Sequence, residues 1–222
     1  MASSTEENYL KALLALDLEP GKESGSISVS ELGQRLGVSV PTANSMVKNL
    51  HSKGLVDYQK YKPVSLTQEG RRQAALIVRK HRLTEMFLVD VMGFGWEEVH
   101  EIAEQIEHID SQALFERMDR MLNHPTNDPH GSPIPNSMGE LESNTYASLS
   151  NCQVGTAWEI KAIGDSSTDF LKYLNQRGMA LGSHLEVLDR EPFDASMRVR
   201  LNGEKEHLLS QPVCQMLLVE AR

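Results

Sequence analysis

Long apolar runs, paired cysteines and a surplus of positive charge are all missing from this chain, and each absence removes a class of protein. No stretch of about 18 apolar residues could span a bilayer, and no positively charged start leads into an apolar run, so the expected location is the cytoplasm. The two cysteines, Cys152 and Cys214, lack the spacing of a zinc motif and the density of a disulfide scaffold; both read as reduced, buried fillers. A formal charge of −9 argues at first against nucleic acid, whose phosphates attract basic surfaces. The distribution says more than the total. Residues 1–73 carry nine Lys or Arg against eight Asp or Glu, residues 74–142 five against thirteen, and residues 143–222 eight against ten. Acid is gathered in the middle third, where carboxylates must stay in water or collect around cations.

What is present is periodicity. Leu10, Leu13, Leu14 and Ala15 predict a first helix over residues 6–16, ended by the Gly- and Ser-rich residues 20–26. A second helix is expected from Val29 to Leu36 with Ser30 as its cap and Gly37 as the turn, and a third from Ser39 to Gly54 with Pro41 in its first turn. Two short helices joined by a Gly turn form a helix-turn-helix, and residues 55–58 and 64–66, alternating around a Lys60–Pro63 turn, predict a wing. Ser39, Pro41, Thr42, Asn44, Ser45 and Lys48 on the third helix, with Lys60 and Lys62 on the wing, are the candidate DNA contacts. Short polar groups also decorate ordinary solvated helices; the wing and its lysines favour the DNA reading.

A long helix from Thr67 toward Val91, another over residues 96–109 and a shorter one over 111–122 should follow, then an aperiodic, Pro- and Gly-rich segment over 123–144. Short alternating runs at 156–163, 185–188, 197–201, 205–208 and 216–219, with Asn202-Gly203 as a hairpin turn, predict a small β-barrel-like domain from about residue 146. The fold class is mainly α with a C-terminal β domain.

On one predicted helix His100, Glu104, Glu107 and His108 share a side, and His81 and Glu85 form a second pair one turn apart on the helix before. Singly, such residues are solvated charges or core-edge histidines; six together point to a divalent transition metal. Imidazole and carboxylate without thiolate suit the harder ions. Two other readings fit parts of the pattern: a metalloenzyme whose cluster activates water, and a regulator sensing an organic ligand. His51, His124, His130, His184 and His207 read as structural or solvated.

The stretches Lys80-His81-Arg82-Leu83-Thr84-Glu85, Val99-His100 through Glu107-His108, and Gly131-Ser132-Pro133-Ile134-Pro135 resemble the diphtheria toxin repressor and manganese transport regulator family of metal-dependent repressors. The resemblance implies a non-enzymatic repressor of metal-uptake genes, a partner in double-stranded operator DNA, and a homodimer built by the middle helices. It also implies a winged helix-turn-helix over 1–73, a metal-binding and dimerisation domain with its linker over 74–145, and an SH3-like domain over 146–222. His81, Glu85 and His100 match one ligand set of that family, and Glu104, Glu107 and His108 another. Iron-responsive members carry Cys where Glu104 stands, so the resemblance implies Mn(II), with Fe(II) as the alternative. On the first helix Asn8 replaces the family's Met or Asp, with Glu7 nearby as a substitute, and Lys11 stands where some manganese regulators have Glu. Asp165 and Asp169 are the candidates for a ligand lent by the third domain.

Overall fold

The computed structural model describes residues 3–19, 25–142 and 145–221, so residues 20–24 of the expected helix-ending stretch and 143–144 of the aperiodic segment lie outside the described residues. The chain divides into two compact units. One comprises Met1–Thr84, Glu104–Met118 and Ile134–Glu142; the other comprises Glu85–Ala103, Asp119–Pro133 and Ser143–Arg222.

The first unit begins with α1 (Ser4–Asp17), α2 (Val29–Arg35) and α3 (Val40–Ser52). Ser3 caps α1 and Glu6 returns the bond, closing a capping box. The cap of α2 is Ser28, not Ser30: Ser28 accepts from Glu31 N at 3.1 Å while Glu31 accepts from Ser28 N at 3.4 Å. Ser30 has Gly33 three residues on, which cannot return a bond, so the reciprocal Ser28–Glu31 pair sets the helix start. Ser39 caps α3 as expected, with Pro41 in the first turn, and Gly37 and Gly54 take positive φ at the two turns.

The wing pairs β1 (Val56–Asp57) with β2 (Ser65–Leu66), and Val64 bridges Ile27, tying the hairpin to the entry of α2. Leu10, Leu13, Leu32, Val47 and Leu50 are among the buried side chains that join these elements in one core. Thr67 precedes α4 (Gln68–Asp90) and accepts from Gly70 N at 3.0 Å. Gly70 is required there because a Cβ would lie 1.8 Å from the Leu55 carbonyl oxygen.

Next come α5 (His100–Ile106) and α6 (Gln112–Met121). The helix expected from residue 96 starts only at His100. Residues 95–98 close a turn on themselves, Gly95 N donating to Glu98 Oε2 at 2.8 Å, and the Trp96 indole N–H donates to Asn175 at 2.7 Å.

In the second unit an antiparallel sheet runs in the order β3-β8-β4-β5-β6-β7, from β3 (Ala147–Ser148), β4 (Ala157–Ile163), β5 (His184–Arg190), β6 (Met197–Leu201), β7 (Lys205–Leu209) and β8 (Leu217–Ala221). Asn202 and Gly203, both at positive φ, turn β6 into β7 as expected. Two helices unforeseen from sequence, α7 (Thr168–Gln176) and α8 (Gln211–Met216), pack on this sheet through Leu171, Leu174 and Cys214. Cys152 and Cys214 are unpaired and buried, and burial pushes the Cys214 thiol up to about 11, so both stay protonated fillers. Among the described residues, no helix is long and apolar enough to cross a membrane.

Candidate metal centres and nucleic-acid interface

In the first unit side chains of α1 and α4 converge on one carboxylate at the end of α5. Glu107 is fully buried just past the end of α5. Its Oε2 accepts from His81 Nδ1 of α4 at 2.5 Å, and its Oε1 accepts from Lys11 Nζ of α1 at 2.6 Å. Burial alone would push this carboxyl upward; the bonds from His81 and Lys11 outweigh it and hold the group below the usual range. His108 Nδ1 donates to Glu7 Oε2 at 2.6 Å, and its Nε2 lies 3.7 Å from Glu107 Oε1. Glu104, half exposed, lies 3.5 Å from the same Lys11 ammonium.

A carboxylate that fixes one imidazole nitrogen while the other faces a cation site is the usual second shell of a metal-binding histidine. Glu7 holds one imidazole nitrogen of His108 in this way, and Glu107 holds one of His81. Asn8 is exposed on α1, and the α1 carboxylate turned to His108 belongs to Glu7, one residue earlier.

The second unit gathers a different set. Glu85 Oε1 accepts from His100 Nδ1 at 3.3 Å. Glu85, Asp128 and His130, all buried, offer three ligand atoms within 4.8 Å of one another. His130 Nε2 faces the Trp96 carbonyl at 3.0 Å, and a carbonyl can only accept, so Nε2 carries the proton. Nδ1 faces Glu85 Oε2 at 3.8 Å and Asp128 Oδ1 at 3.9 Å. An imidazole nitrogen and two carboxylates converging out of water fit a divalent cation, by donor chemistry and by charge.

Asp128 and His130 went unrecognised from sequence. His130 is 2% exposed, neither solvated nor idle, and its ring stacks on Trp96. The signal was Asn127-Asp128-Pro129-His130-Gly131, a turn sequence rather than a slack linker. The Asp128 side chain accepts from His130 N at 2.8 Å and Ser132 N at 2.9 Å, and Ile163 N of β4 donates to His130 O at 2.8 Å.

Gly131, at φ +84°, lies so close to β4 that a Cβ would meet Lys161 O at 2.1 Å. Gly131→Ala is therefore expected to destabilise the protein by about 2 kcal/mol or more, through backbone strain and displacement of the loop from β4. Urea unfolding checks this, and an unchanged midpoint would refute it.

Asp165 and Asp169 are separated by their surroundings. Asp165 lines, with His100, Glu97 and Glu101, a cavity of about 640 Å³, and is held by Ser167 N at 2.8 Å and Ser167 Oγ at 3.0 Å. Asp169 is exposed in the first turn of α7.

On α3, Pro41, Ser45 and Lys48 are exposed. Ser39 and Thr42, also exposed, hydrogen-bond to each other at 2.8 Å. Asn44 is half-buried and accepts from Tyr58 OH at 2.8 Å, which makes it a tether between α3 and the wing. Lys60 and Lys62 are exposed beside Tyr61, the aromatic at the wing tip, which is 92% exposed and carries Lys60 over its ring at 4.8 Å.

Comparisons with known proteins match three successive stretches of the chain. Residues 1–64 match the family "Iron dependent repressor, N-terminal DNA binding domain", residues 67–136 "Iron dependent repressor, metal binding and dimerisation domain", and residues 147–221 "FeoA domain". The iron-dependent repressor IdeR of Mycobacterium leprae is 37% identical over 150 residues, covering 68% of this chain and 63% of its own length. The diphtheria toxin repressor of Corynebacterium diphtheriae is 28% identical over 216 residues, covering 92% of each. Among solved structures, a manganese-dependent transcriptional repressor in complex with manganese is similar at a TM-score of 0.89 and 35% identity, over 98% of this chain and 100% of that one. ScaR with bound Zn2+ is similar at 0.79 and 32%, over 98% and 99%. With three domain families matched in order and structural relatives above 30% identity spanning nearly the whole chain, this protein belongs to the iron-dependent and diphtheria toxin repressor family.

Proposed function

We propose that this chain is a metal-activated transcriptional repressor that binds operator DNA as a homodimer, with Mn(II) as its activating ion and metal-uptake genes as its targets. The observation that carries the reading is the meeting of Glu7 and Lys11 of α1 with His108, Glu107 and Glu104 inside the same compact unit as α3 and the wing.

His108 Nε2, Glu107 and Glu104 would hold one cation, with Glu7 orienting His108. Glu85, Asp128 and His130 would hold a second, with His100 beside Glu85 as a further candidate, Asp165 a nearer candidate than Asp169 and exposed Asn8 a weak one. His81, whose Nδ1 donates to Glu107, is a further candidate ligand. A divalent ion bound at these sites supplies charge that holds the carboxylates together. The chain's own part is to fix α1 against α3, so that the recognition helices of a dimer meet successive major grooves.

Mn(II) is favoured by donors of oxygen and imidazole alone, the two thiols being buried in the core of the second unit. Fe(II) is the second reading, supported by the iron-dependent families that the first two domains match.

The test is to strip the protein of metal, select a duplex from random sequence with the Mn2+-loaded protein, and measure its affinity with Mn2+, Fe2+, Co2+ or Zn2+ and with chelator. Mn2+ is expected to raise affinity by roughly 5- to 150-fold, the range of ordinary coupling energies. Equal affinity with and without every ion would end the metal-sensing reading.

A further inference from the structure

We infer that Glu6 is a positioning residue that transmits the state of the first-unit metal site to the recognition helix α3. The inference rests on the repressor reading above and adds the connection between its two ends.

Glu6 and Glu7 are consecutive on the first turn of α1, and their carboxylates serve different partners. Glu7 meets His108. Glu6, 4% exposed, turns to α3: its Oε1 accepts from Asn49 Nδ2 and from Lys53 Nζ, both at 2.5 Å, and its Oε2 accepts from Ser3 N at 2.8 Å. One carboxylate therefore closes the capping box of α1 and holds the C-terminal turn of α3.

Charge-assisted bonds of this kind are short and directional. A shift of α1 that moves Glu7 relative to His108 must carry Glu6, and with it Asn49 and Lys53. Apolar side chains such as Leu10, Leu13, Val47 and Leu50 also join α1 and α3, and contacts of that kind permit small slides. The Glu6 clamp removes that freedom.

Glu6→Gln keeps the shape and removes the charge. Two quantities are read on the full-length protein: Mn2+ affinity without DNA, by calorimetry, and the factor by which Mn2+ tightens binding to the duplex selected above. In Glu6→Gln the first should stay within about threefold of wild type while the second falls at least tenfold, a split that general loosening of the fold would not give. Linkage requires the same tenfold loss in the factor by which DNA tightens Mn2+ binding.

Lys53→Met, which removes an exposed partner without touching the core, should lower the same factor and decides the matter if Glu6→Gln does not fold. Because the readout is a ratio with and without Mn2+, any direct phosphate contact of Lys53 cancels. A wild-type gain that survives in the folded variants overturns the role of Glu6 alone. No gain in wild type overturns the repressor reading, and this inference with it.

Discussion

Glu107→Ala is expected to abolish the Mn2+ response, weakening Mn2+ binding at the first-unit site at least a hundredfold, and to cost about 3 kcal/mol of stability in chelator. The two effects have separate causes. Glu107 is wholly buried and accepts from His81 on one oxygen and Lys11 on the other. Truncation leaves an imidazole N–H and an ammonium facing an apolar hole, and removing one partner of a buried ion pair costs on the order of 3–5 kcal/mol. Lys11 is 21% exposed and can swing its head into water, which places the cost at the lower end.

The loss of Mn2+ affinity follows from deleting a carboxylate donor that lies near both His108 Nε2 and Lys11. Glu107→Gln separates the causes: its carbonyl still accepts one hydrogen bond and fills the space, so stability should recover substantially while Mn2+ affinity does not. Urea unfolding and calorimetry read the two quantities. An alanine variant that binds Mn2+ like wild type would remove Glu107 from the ligand set.

The parts of the molecule that could be read from sequence are those written in local signals. Ser39, Pro41 and Gly54 bound α3 because capping, fixed φ and positive φ each act within a few residues. Asn202-Gly203 specifies its hairpin for the same reason. The spacing of His81 and Glu85, and of His100 and Glu104, marks helix faces directly, whereas Glu107 and His108, expected on the same face, lie just past the end of α5. What escaped is long-range or irregular. Glu7 meets His108 across 101 positions of sequence and Lys53 meets Glu6 across 47, and no periodicity encodes such pairings.

Asp128 and His130 sit in a segment without repeats, where the absence of a pattern reads as slackness. Backbone bonds to the Asp128 carboxylate and the closeness of Gly131 to β4 make it rigid instead. The helices α7 and α8 are short, and their burial against the sheet outweighs what propensity alone predicts. The division of ligands differs for a related reason. Helix spacing says which residues share a face, whereas the partner of each imidazole nitrogen depends on elements distant in sequence.

Lys11→Met should act in the opposite direction, raising Mn2+ affinity at the first-unit site by roughly tenfold or more while lowering stability in chelator. The Lys11 ammonium lies 2.6 Å from Glu107 and 3.5 Å from Glu104, so it already neutralises part of the charge that a divalent ion would use. At roughly 5 Å an ammonium and a divalent ion repel by on the order of 2–7 kcal/mol, from bulk water to a protein surface, and each 1.4 kcal/mol is a factor of ten. Part of this is relieved if Lys11 swings outward, which makes tenfold the conservative figure. Methionine keeps the apolar stem and its packing along α1, so any gain comes from removing the charge.

Without metal, the same substitution leaves Glu107 with His81 as its one strong donor among these two, and the buried carboxylate loses the ammonium that offset its burial. Calorimetry with Mn2+ and urea unfolding in chelator measure the two signs separately. If Lys11→Met bound Mn2+ more weakly, Lys11 would be a supporting group that stays in place beside the ion. If affinity were unchanged, the ammonium would lie outside the ion's field. A gain in affinity coupled to a loss of stability arises only when lysine and metal compete for the same two carboxylates, which would set the metal threshold of this protein above that of a relative with a neutral or acidic residue there.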